Sequence, residues 1–204
     1  MKRLIFDVDN TLIKWEDHYT SALIKTMKKY NIDIDYKIID KVIEEQDLRH
    51  NIFTKEALLK DINDKTKLTL KMNFIEDLLE NQKELAVVDE NVCETLEYLS
   101  KKYELVILTN YFTETQKGRL EKAKIAHYFK EIIGGDQVLI KPNIESFKKA
   151  MMSKDDIMIG DSIRCDIEGA INAGIKAIQI DYFNKYEKSN VPLIRNINEL
   201  KNIL

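Results

Sequence analysis

Cysteine is scarce in this 204-residue chain: Cys93 and Cys165 stand far apart and share no C-x-x-C spacing. The pattern therefore supports neither a disulfide framework nor a cysteine zinc site. An excess of positive charge is also missing, since 32 Lys and Arg face 35 Asp and Glu for a net charge of -3. That leaves no broad basic footprint for a nucleic acid polymer or an acidic membrane, and any anion site has to be local. No apolar run approaches the length of a membrane span. Met1 to Arg3 begin like a signal peptide, but Asp7 and Asp9 interrupt the apolar stretch that should follow and no cleavage pattern appears. Low-complexity tracts and clear internal repeats are lacking too. A reduced, cytoplasmic setting without a membrane partner is the expectation. What is present, 44% hydrophobic and 33% charged residues, is the composition of a globular protein with enough material for a real core.

Four apolar runs with β-branched members read as strands covered on both faces: Leu4 to Val8, "ELVILTN" at 104–110, "DIMIGD" at 156–161 and "KAIQID" at 176–181. Helical spacing lies between them. It runs through Val92, Leu96, Leu99 and Tyr103, then from Thr113 with Gln116 as a capping box, then from the N-cap Asn143, and last from Asp166 to Ala173 with Gly174 as its stop. Alternating strands and helices predict an α/β fold, a Rossmann-like doubly wound parallel sheet. The stretch from Trp15 to Leu85 breaks the rhythm with helical periodicity alone, as in Trp15, Tyr19, Leu23, Met27 and Tyr30. One crossover helix, 89–102, already joins the first two strands. Residues 15–85 are thus predicted to form an inserted α-helical subdomain, with 1–14 and 86–204 as the core.

Residues two apart on a strand point the same way, so Asp7 and Asp9 converge at the carboxyl end of the first strand, where open α/β sheets place ligands. A lone D-x-D pair has a bland account as a turn cap assisted by Thr11. Thr109 and Asn110 end the second strand, Lys141 precedes Pro142 and the helix cap, and Asp161 and Asp166 follow the next strand. Each alone reads as a turn former, a solvated lysine or a helix cap. In a parallel sheet all of them gather on one edge.

The set "DVDNTL", "ILTN", "IKPN" and "GDSIRCD" resembles the four signature motifs of the haloacid dehalogenase superfamily, in the family's order, and spans the chain apart from the helical stretch. The resemblance implies a Rossmann-like core, Mg²⁺ dependence and phosphoryl transfer through an aspartyl-phosphate. It makes Asp7 the nucleophile and Asp9 the general acid/base. Thr109 and Asn110 would bind the phosphoryl group together with Lys141, which would also steady the nucleophile. Asp7, the backbone carbonyl of Asp9 and Asp161 would hold the metal, with Asp166 behind them. Asn10 stands where the family often has glycine, and asparagine tolerates left-handed backbone. A further proline common after Pro142 is missing.

Charge supports the grouping. Two like charges ~4 Å apart repel by about 4 kcal/mol at an effective dielectric of 20. Four carboxylates beside Lys141 therefore need a hard cation such as Mg²⁺, and the residual charge favours Asp9 as a proton carrier. The insertion lies between the first and second motifs, where the family carries its helical cap. A cap of that kind closing over the site predicts a small phosphorylated metabolite as substrate, with Lys14, Trp15, His18, Arg49 and His50 as candidates for the mouth. A phosphosugar mutase, a 2-haloacid dehalogenase and a phosphonate hydrolase are alternatives on the same fold. A phospho-Asp signalling or binding protein is the alternative from another class, although receiver domains place their metal-binding acids before a nucleophile on a different strand.

Overall fold

The computed structural model describes residues 1–14, 19–47, 49 and 51–204. Six parallel strands form one sheet in the order β3-β2-β1-β4-β5-β6. They are β1 (Arg3–Phe6), β2 (Glu104–Leu108), β3 (Phe129–Ile133), β4 (Ile157–Gly160), β5 (Lys176–Ile180) and β6 (Leu193–Ile194). β1 lies in the centre, with Phe6 in register with Ile107 on one side and Ile159 on the other. Leu4, Ile5 and Phe6 are all fully buried, and each such side chain contributes roughly 1.5–3 kcal/mol by leaving water.

Alternation along the strands divides the core in two. Leu4, Phe6, Leu105, Ile107, Ile157 and Ile159 pack on one face with Val92, Leu96 and Leu99 of α5 (Asn91–Ser100) and Leu120 of α6 (Thr113–Lys122). Ile5, Val106, Leu108 and Met158 pack on the other with Phe147 of α7 (Ile144–Ala150) and Ala170 of α8 (Gly169–Ala173). Both faces are covered by helices, as an all-parallel sheet requires.

Four helices precede α5: α1 (Thr20–Lys29), α2 (Tyr36–Asp47), α3 (Lys55–Thr66) and α4 (Met72–Gln82). Leu23, Ile39, Leu58, Phe74 and Leu78 meet in a cluster of their own, closed on the sheet side by Tyr111 and Phe112. The helical periodicity of this stretch is therefore the imprint of a separate apolar seam. Its two connections to the sheet run side by side, the Lys14 amide donating to the Val87 carbonyl at 3.0 Å and Lys14 Nζ pairing with Asp89 at 2.7 Å. Among the described residues no helix is long and apolar enough to cross a membrane.

Two local expectations change. Phe112, not Thr113, occupies the N-cap of α6, and its side chain makes no capping bond. Thr113 Oγ1 donates instead to Asp136 at 2.6 Å, and Gln116 turns toward the sheet. β3 and the two-residue β6 were not among the four predicted strands. By contrast, the Asn143 side chain accepts from the Glu145 amide as an N-cap, and Gly174 ends α8 at φ 80.

Candidate active site

The chain runs outward from β1 through β2 to β3, then returns to the other side of β1 for β4, β5 and β6. The connections that leave the carboxyl ends of β1 and β4 consequently run to opposite sides, which opens a crevice at the point where the strand order reverses. After β1 the chain turns sharply. The amides of Thr11, Leu12 and Ile13 all point at the Val8 carbonyl, and Asn10 takes the left-handed conformation at φ 56. That turn leaves Asp7 and Asp9 at the crevice. A cavity of about 230 Å³ there is lined by both aspartates with Asn10, Tyr19, Thr109, Asn110, Tyr111, Lys141, Asp161, Ser162, Cys165 and Asp166. All seven candidate residues of the sequence thus share one cavity. Lys14 pairs with Asp89 and Arg49 with Asp61, and neither lines this cavity. Trp15, His18 and His50 lie outside the described residues.

Lys141 is 1% exposed, so it is no solvated lysine. Its Nζ donates to Asp7 Oδ1 at 2.7 Å and to Asp166 Oδ1 at 2.6 Å. Asn110 holds the lysine in place. Its Oδ1 accepts from the Lys141 amide at 2.8 Å and its Nδ2 donates to the Lys141 carbonyl at 3.0 Å. The Lys141-Pro142 peptide is cis. Asp166 is clamped from behind, its Oδ2 accepting from the Ser162 amide at 3.0 Å. Gly160 makes this approach possible, because a Cβ there would lie 2.3 Å from Asp166 Oδ2.

One carboxylate oxygen from each of Asp7, Asp161 and Asp166 lies within 4.8 Å of the others. Such an all-oxygen set suits a hard cation, and three acids crowded together are costly without one. The titration behaviour agrees. Burial first, and then Asp166, Asp161 and Asp9, push Asp7 well above the usual carboxylate range against the pull of Lys141. Burial and then Asp166 push Asp161 up to about 7. Burial disfavours the charge on Lys141, but Asp166 and Asp7 more than offset it and hold the ammonium above its ordinary range. The residues present therefore fit a divalent cation, with Asp7, Asp161 and Asp166 as its donors.

Sequence reasoning missed the groups around Asp9. Arg119 of α6, 1% exposed, donates from Nη1 to Asp9 Oδ1 at 2.5 Å, and Gln116 Nε2 donates to Asp9 Oδ2 at 2.8 Å and to Thr109 Oγ1 at 3.1 Å. The Tyr19 hydroxyl sits 3.1 and 3.2 Å from the two Asp9 oxygens. Burial and then Asp9 push that phenol well above its ordinary range, so it stays protonated and donates. Arg119 also corrects the charge argument. Four carboxylates against two buried cations, Lys141 and Arg119, leave two negative charges. A divalent cation would balance them without a proton on Asp9.

The family model for haloacid dehalogenase-like hydrolases matches residues 4–180. Among curated relatives, glyceraldehyde 3-phosphate phosphatase of Methanothermobacter thermautotrophicus is 27% identical, the match spanning 100% of both chains. N-acylneuraminate-9-phosphatase of Rattus norvegicus is 25% identical over 87% of this chain and 81% of its own. Among solved structures, the HAD-hydrolase YfnB of Bacillus subtilis, bound to magnesium, superposes with a TM-score of 0.79 at 22% identity, covering 100% of this chain and 98% of that one. With the strand order, the four motifs on one sheet edge and a family match over most of its length, the chain belongs to the haloacid dehalogenase-like hydrolases.

Proposed function

We propose that the protein is a Mg²⁺-dependent phosphomonoesterase that cleaves a small phosphorylated metabolite through a phosphoaspartate at Asp7. The observation that carries this reading is the Asp7–Lys141–Asp166 chain of charge-assisted bonds at the floor of the cavity, with Asp9 held beside Thr109 by the shared Gln116 amide. A cavity of about 230 Å³ is below the ~300 Å³ at which pockets for drug-sized ligands begin. It suits a small ester, and the helical stretch 15–85 fits the role of a cap over it. Relatives named as phosphatases of glyceraldehyde 3-phosphate and of N-acylneuraminate 9-phosphate support the same substrate class.

In this reading Lys141 fixes Asp7 Oδ1 and keeps the carboxylate aimed at phosphorus, while the Thr109 hydroxyl and the backbone amide of Asn110 bind the phosphoryl oxygens, the Asn110 side chain being committed to Lys141. An Asp7 oxygen forms a bond to phosphorus as the bond to the substrate alcohol breaks, and Asp9 gives its proton to the departing oxygen. Asp9 then takes a proton from the water that attacks the phosphoaspartate, which releases inorganic phosphate and restores Asp7. Asp7, Asp161, Asp166 and the Asp9 carbonyl would hold a divalent cation, which would supply charge stabilisation for the transferring oxygens. A 2-haloacid dehalogenase displaces halide, which needs no proton. That reaction leaves the three donors built around Asp9 without a task.

The test is a phosphate-release screen over sugar phosphates, nucleotides and short organic phosphates with and without Mg²⁺, the Asp7→Asn protein serving as control. Release that requires both Mg²⁺ and Asp7 supports the reading. Release that survives in the variant contradicts it.

A further inference from the structure

Arg119 makes more polar contacts than an ion pair with Asp9 requires. Besides its bond to Asp9, Nη1 lies 2.6 Å from the Tyr19 hydroxyl and 2.8 Å from Gln116 Oε1, its two hydrogens shared among the three oxygens, and Nε donates to the Leu85 carbonyl at 2.6 Å. Its guanidinium also sits 5.0 Å from the centre of the Tyr19 ring. Tyr19 leads into α1 and Leu85 follows α4, so one side chain of the sheet domain holds both connections to the helical segment and Asp9 at once. Tyr19 is fixed from its other side as well, stacked on Tyr111 at 5.2 Å and 18°. Its backbone takes the left-handed conformation at φ 62, which a bulky aromatic adopts only when its surroundings impose it.

We propose that Arg119 is the positioning residue for Asp9, and that its bonds to Tyr19 and Leu85 make the placement of Asp9 depend on the placement of the helical segment. This rests on the phosphomonoesterase reading. A carboxylate offers about four lone-pair sites. Arg119, Gln116 and Tyr19 take three, so the carboxylate has a fixed direction and one site left for the proton it exchanges with substrate. Lysine in place of Arg119 retains the charge but has no second nitrogen, so it cannot hold the Leu85 carbonyl while it serves Asp9, Tyr19 and Gln116.

The experiment compares Arg119→Lys with the unaltered enzyme in Mg²⁺, on glycerol phosphate, whose leaving alcohol needs a proton, and on p-nitrophenyl phosphate, whose leaving group does not. The expected result, read as the first-turnover rate of alcohol release at saturating substrate, is a fall of about 100-fold on the alkyl ester, the scale of a catalytic group misplaced by an ångström. On the aryl ester first-turnover release should stay within a factor of a few, while steady-state turnover falls on both because Asp9 also serves the water of the second step. In an Asp9→Asn background the Arg119→Lys change should cause no further loss on the alkyl ester, since residues acting through one another are not additive. Tyr19→Phe, which keeps the ring and removes only the hydroxyl, should give a smaller loss of the same selectivity and serves if the lysine variant does not fold. Equal first-turnover losses on both esters, or a loss that adds to that of Asp9→Asn, would overturn this proposal alone. No Asp7-dependent release from either ester by the unaltered enzyme would overturn the phosphomonoesterase reading and this one with it.

Discussion

Affinity for Mg²⁺ should climb steeply with pH, because the cation competes with a proton for the three acids. Asp161 shows the size of the effect: burial first, and then Asp166, push it up to about 7, while Lys141 pulls the other way. A carboxyl whose folded value lies above its unfolded one binds its proton more tightly in the native state. The metal-free protein therefore loses stability as pH rises from about 4 through 7, and the full penalty stands above 7. The gap of about three pH units corresponds to ~4 kcal/mol, an upper value because Asp161 is partly exposed and water screens it. Each proton that Mg²⁺ displaces adds about tenfold in affinity per pH unit. Calorimetric titration of Mg²⁺ into the protein at pH values from about 5 to 8 should give a slope of at least one in log affinity below about 7, and the share of that slope due to Asp161 should vanish above it. Asp7, raised by burial and its acidic neighbours, adds to the slope. Asp161→Asn should weaken binding and lower the slope by one. An affinity that is flat across this range would refute the assignment of the cation to these acids.

Two further outcomes follow from particular contacts. Asp9→Asn should cut the first-turnover release of alcohol from alkyl phosphates by about 10² to 10⁴, the usual worth of a general acid, with a far smaller loss in first-turnover release from an aryl phosphate, both read by rapid-quench single-turnover kinetics. Gly160→Ala places a Cβ where Asp166 Oδ2 now sits. It should abolish Mg²⁺-dependent turnover while thermal unfolding stays cooperative, and full activity would show that Asp166 is free to move.

Much of the site was legible because its residues stand at strand ends, where a continuous buried apolar run breaks off into Asp7, Thr109 and Asp161. The helical stretch was equally plain, since its apolar residues recur at the spacing of one buried face. Arg119 and Gln116 were harder to see. Helix α6, TETQKGRLEK, carries a single large apolar residue, Leu120, so the eye passes over it as a solvated helix. Its place between two parallel strands held the clue. A crossover helix must bury one face against the sheet, and with so little apolar material Thr115, Gln116 and Arg119 have to go inside. Such a face needs partners, and Asp9 is the partner. The capping-box expectation failed for the same reason, because Gln116 belongs to Asp9 and Thr109 rather than to the helix end. β6 escaped notice because two residues carry no period.

The account stands on covalent chemistry at Asp7. A crystal grown with Mg²⁺ and beryllium fluoride, which mimics a phosphoryl group, tests it most directly. The account predicts a fluoroberyllate bonded to an Asp7 carboxylate oxygen, contacted by Thr109 and Lys141, with the cation against Asp161. Density for an unmodified Asp7, with the fluoroberyllate free in the cavity or attached to another residue, would contradict it.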